Sequence, residues 1–84
     1  MEIKMFYKTQ RDIAEVINVI IDSYWEDIIA EDLLIRNIKA LYSNNQEKII
    51  KDEDFTTILK QQCGKRRLEV VEKILDLNIK QLED

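Results

Sequence analysis

Apolar residues recur at helical spacing along most of this chain. Ile13, Val16, Ile17, Ile20, Ile21 and Tyr24 match the i, i+3, i+4, i+7 template without a miss. Thr9 and Asp12 stand where a side-chain cap and an acid opposite the helix dipole belong. A second helix is predicted over residues 30–42, with Leu34, Ile38, Leu41 and Tyr42 inward, closing at the turn-formers Ser43, Asn44 and Asn45. A short helix over 46–51 presents Ile49 and Ile50, and Asp52 is placed to cap the next helix. Phe55, Ile58 and Leu59 make a third stripe as far as Gln62. Gly64 then closes that helix in the left-handed conformation, where glycine alone has no Cβ to clash. Leu68, Val71, Ile74, Leu75 and Leu82 set a last helix over 66–82, with Glu69 and Lys73 paired at i,i+4.

Residues 1–8 have a different rhythm. Ile3, Met5 and Tyr7 alternate with Lys4, Phe6 and Lys8, a period of two that permits a strand. No later segment alternates as a partner, so an extended arm packed on the helices is expected.

Composition agrees with helices joined by short turns. The chain has one glycine and no proline, the residues that break helices and shape β-turns. The predicted fold is all-α: a small bundle of about four helices with a short extended N-terminal arm, one domain over residues 1–84. At this length a core rarely supplies more than about 3–5 kcal/mol of net stability, and surplus apolar surface is often covered between subunits. A homodimer, or another protein partner, is therefore expected, with Tyr24 and Trp25 as its interface anchors.

Charge and cysteine usage narrow the chemistry. With one cysteine and no histidine, an intrachain disulfide, the usual zinc sites and His-activated nucleophiles are all excluded. No run approaches the ~18 apolar residues of a membrane span, and no signal-peptide pattern opens the sequence. A cytoplasmic protein away from membranes is expected. The net charge of −4 weighs against general nucleic-acid binding.

The charges are unevenly spread. Residues 22–32, DSYWEDIIAED, hold five acids and no base, whereas 60–67, KQQCGKRR, hold four bases and no acid. The two runs are solvated helix faces, or pair with each other across the fold or a dimer, or face different partners. In the second case Gly64, Lys65, Arg66 and Arg67 form a candidate anion site at a helix start, where free backbone N–H groups favour negative charge. The phosphate-loop pattern GxxxxGK[ST] is absent, since Arg66 stands where Ser or Thr would hold Mg²⁺. Helix-turn-helix recognition of DNA fits poorly, for the turn lacks the apolar pattern of that motif. Asp22 and Glu26, four apart, could share a face as Mg²⁺ ligands or an acid/base pair, but surface carboxylates at this spacing are commonplace. Cys63, beside the cations, could have a lowered pKa, but a lone cysteine there reads more simply as a small buried filler. No catalytic residue, metal ligand or cofactor is assigned.

MFYKTQRDIAEVINVIIDSYW together with FTTILKQQCGKRRLEVVEKIL resembles a family of short, uncharacterised proteins from clostridia and related Gram-positive bacteria, with QQCGKRR its most particular segment. The resemblance implies a small helical fold in a bacterial cytoplasm and transfers no catalytic residues. The resulting expectation is a helical interaction or regulatory module, not an enzyme. Nucleic-acid or phosphate binding at the basic turn is the second reading.

Overall fold

A computed structural model describes residues 4 and 6–77. Among these, four helices and one small hairpin follow in order: α1 (Gln10–Trp25), α2 (Glu31–Asn44), α3 (Gln46–Ile49), β1 (Ile50–Lys51), β2 (Asp54–Phe55) and α4 (Thr57–Leu75). The expected small all-α fold is what the chain adopts, with the hairpin as an addition.

Helix α1 forms as its sequence dictates. The Thr9 side chain accepts a hydrogen bond from the Asp12 N–H at 3.1 Å, and Asp12 sits in the positive first turn. Its β-branched residues lose a few tenths of a kcal/mol each in helix propensity. Ile13, Ile17, Ile20 and Ile21 are all buried, and each burial returns about 1.5–3 kcal/mol. Packing outweighs propensity here by several-fold. Leu34, Ile38 and Leu41 of α2, Ile49, Phe55, and Leu59, Leu68 and Val71 of α4 complete the same core.

Helix α2 runs past Tyr42 to Asn44, beyond the predicted stop. Two amides sustain the extension: Asn44 Nδ2 donates to the Ala40 carbonyl at 2.8 Å, and Asn45 Nδ2 to the Leu41 carbonyl at 3.0 Å. The second satisfies a carbonyl that the helix end would leave open, since the Asn45 N–H turns to Tyr42 instead; the first adds a second donor to an acceptor inside the last turn. Asn45 also fastens the N-terminal arm, its Oδ1 accepting from the Tyr7 N–H at 3.2 Å. Tyr7 is half-buried against the core while Phe6 points to solvent, and Lys4 and residues 6–8 are neither helix nor strand. Ile3, Met5 and the predicted helix beyond Leu77, including Leu82, lie outside the described residues.

The hairpin corrects the predicted helix over 46–51, which ends at Ile49. Ile50 pairs with Phe55 and Lys51 with Asp54, antiparallel. Asp52 and Glu53 make the turn with φ of 55° and 64°, the pair of positive values that a type I′ hairpin loop requires. Asp-Glu is an unusual filling for such a turn. Asp52 is therefore a turn residue and not a cap. The cap of α4 is Thr56, whose buried hydroxyl accepts from the Leu59 N–H at 3.4 Å and donates to the Lys48 carbonyl at 3.3 Å.

One side chain thus ties α3 to α4. Thr56→Ala is expected to lower unfolding stability by about 1–2 kcal/mol, and Thr56→Ser to recover most of it in urea titration. A serine variant as weak as the alanine one would show that the hydroxyl bonds contribute little.

Candidate functional site

The basic turn is built on a break inside α4. Gly64 has φ 81° and ψ 167°, a region that essentially only glycine occupies. This differs from the left-handed helical conformation expected from the sequence, although both need positive φ. A Cβ at Gly64 would meet nothing within 4 Å, so glycine is required by the backbone and not by space.

A break in a helix strips carbonyls of their i+4 donors. Side chains replace two of these. Asn18 Nδ2 of α1 donates to the Gln62 carbonyl at 2.9 Å, and Arg67 Nη1 to the Cys63 carbonyl at 3.0 Å. Arg67 then turns its other two nitrogens onto α1: Nε reaches Asp22 Oδ1 at 2.9 Å and Nη2 reaches Oδ2 at 3.0 Å. The Cys63 thiol donates to the Ala14 carbonyl at 3.7 Å. Ala14, Asn18 and Asp22 are spaced by four and form one row along α1. The break in α4 is seated on that row. The Asp22–Arg67 pair is forked but partly solvated, so it contributes on the order of 1 kcal/mol. The Asp22 carboxylate raises the already high pKa of Arg67 through its hydrogen bond, which keeps the guanidinium charged.

Trp25, the last residue of α1, lies against this arrangement. The Arg66 Cζ is 5.6 Å and the Arg67 Cζ 5.9 Å from its ring centroid, within cation–π range. Trp25 as a whole remains 43% exposed. It borders a shallow depression of about 340 Å³ with Arg66, Glu69, Val70, Glu72 and Lys73. Tyr24, the other predicted anchor, is half-buried against the core.

Helix α1 stops immediately after Trp25. The Ile28 N–H bonds the Ser23 carbonyl at 2.8 Å and the Asp27 N–H the Tyr24 carbonyl at 3.1 Å, with Asp27 at φ 62°. These are the paired bonds of a Schellman ending, with aspartate where glycine usually sits. The acidic run is thereby divided. Asp22 faces Arg67, whereas Glu26, Asp27, Glu31 and Asp32 are exposed.

The predicted anion residues are separated in the same way. Gly64 makes the break, Lys65 and Arg66 are exposed, and Arg67 is folded inward onto Asp22. Among the described residues, no three His, Cys, Asp or Glu side chains converge to hold a metal ion, and no helix is long and apolar enough to cross a membrane. Sequence reasoning misses Asn18. Its signal is the four-residue spacing from Ala14 and Asp22, on the flank of the apolar stripe.

A model of the CLB_0814 family, described as conserved hypothetical proteins, matches residues 4–76. The chain belongs to that family. The CLB_0814 match takes in α1, the break at Gly64 and all of α4. No curated protein and no solved structure matches the chain.

Two outcomes test this geometry. Gly64→Ala is expected to lose roughly 1–3 kcal/mol of stability, read from the urea midpoint; an unchanged midpoint would mean that the break does not need glycine. Burial pushes the Cys63 thiol from 9.0 up to about 11, against a smaller downward pull from Arg67. Between those values the unfolded chain gives up this proton while the folded one keeps it, so the stabilisation is whole below pH 9.0 and is lost as pH rises towards about 11. Cys63→Ala should therefore lose less stability than the parent over that interval, and parallel pH profiles would contradict the buried thiol.

Proposed function

We propose that this chain is a small helical interaction module without catalytic activity, docking proteins through the ledge of Trp25, Arg66 and Val70. The carrying observation is the exposed indole of Trp25, held between two helices by Arg66 and Arg67. Tryptophan and arginine are the residues that most often dominate binding energy at protein interfaces. The indole is already in position: Arg67, which lies against it, is fastened to Asp22 and the Cys63 carbonyl, so the ring has a fixed backing on one side before docking. The only thiol is buried and protonated at neutral pH, which makes it a poor nucleophile.

Anion binding at Gly64, Lys65, Arg66 and Arg67 is the weaker reading, because a phosphate would have to compete with Asp22 for the Arg67 fork. We assign the module to the cytoplasm of a clostridial or related bacterium, on the resemblance carried by QQCGKRR.

The test is site-directed photocrosslinking in living cells. A benzophenone amino acid at exposed position 69, beside the ledge, should capture protein, whereas one at exposed position 39 on α2 should not. Trp25→Ala should abolish capture at 69 while leaving the circular dichroism spectrum unchanged. Equal capture at both positions, or none at 69, would remove the proposal.

A further inference from the structure

Charges of both signs stand at the ledge, with Arg66, Glu69, Glu72 and Lys73 around the depression and an acidic turn following Trp25 in the chain. Among the described residues, the Arg66 guanidinium meets the Trp25 ring and no carboxylate. Directly after Trp25 come Glu26 and Asp27, and then Glu31 and Asp32 at the start of α2. All four are exposed, and none forms an ion pair among the described residues. A cation, an exposed aromatic ring and an acidic turn thus occur together at the C-terminal end of α1.

From this we infer that the partner is a second copy of the same chain, joined by a two-fold axis near Trp25; the inference rests on the ledge being the docking surface. In such an isologous contact each Arg66 faces the acidic turn of the other copy, and the two indoles pack beside the axis. A wholly acidic partner would match Arg66 but be repelled by Glu26 and its neighbours. A wholly basic one would match the acids and be repelled by Arg66. A partner must carry both signs at the spacing of this surface, and the chain itself does so by construction. Trp25 and Ile28 are the exposed large apolar side chains at this end of α1, and the rest of the contact is charged, so the dimer is weak and sensitive to salt.

Sedimentation equilibrium of the purified full chain should show reversible dimerisation within the range ~10 µM to ~1 mM, weakening as sodium chloride is raised. Arg66→Glu should weaken association by about tenfold or more, and so should the double variant Glu26→Lys with Glu31→Lys. An equimolar mixture of the two variants should associate more tightly than either variant alone, because the unaltered acidic turn of one chain meets the other chain's Arg66, and the carboxylate introduced at position 66 meets a turn carrying two lysines. Asp27 is left alone in this test, since its positive φ would confound the result.

A monomer throughout that range, variants that dimerise like the parent, or a mixture that stays apart would overturn the inference. The crosslinking result then separates the two failures. A monomer that is still captured at position 69 by a different protein leaves the ledge as a docking surface with another partner. A monomer with no capture removes both.

Discussion

The structure depends on how an interrupted helix is made tolerable. The break at Gly64 leaves carbonyls of α4 without their own donors, inside a seam where water has limited access. Unmet acceptors of that kind cost about 1–3 kcal/mol each, a large share of the net stability open to an 84-residue chain. Asn18 and Arg67 supply the missing N–H groups, and Asp22 holds Arg67 in place. Because two of these three residues stand on α1, satisfying the break also fixes how α1 lies against α4. Trp25, one turn beyond Asp22, is carried to the ledge by the same arrangement.

The apolar contacts supply the driving force but not this specificity. The isoleucine row of α1 is held by close packing, but apolar contact itself has no direction. Hydrogen bonds do have direction. The polar row Ala14, Asn18 and Asp22 flanks the isoleucines and adds direction to their alignment. A buried layer and a directional edge together make one seam.

The helices are legible in the sequence because each buries a stripe that recurs at α-helical period, most clearly from Ile13 to Ile21. Gly64 is legible as an interruption because it is the single residue of its kind. The conformation it adopts is not, since one residue identity cannot distinguish two regions of positive φ. The hairpin escapes sequence reading for a related reason. Two-residue strands are too short to display alternation, and Asp52-Glu53 lacks the glycine that normally marks such a turn. Of the candidate site, the charges are visible as runs but their division is not. Asp22 and Arg67 are 45 positions apart, and only the packing of α1 on α4 shows that they meet while Glu26 and Arg66 remain outside.

The hairpin has a consequence for the far end of the molecule. Its two strands are joined by Asp52 and Glu53 alone, and the Thr56 N–H returns to the Ile49 carbonyl at 3.0 Å. No slack remains between α3 and α4, so the first turns of α4 start from a fixed point. A longer join would leave that point unfixed and rest the register of α4 on the polar row of α1 alone. The smallest element of the fold thus acts as a stop, sharing with Asn18 and Asp22 the placement of Arg67.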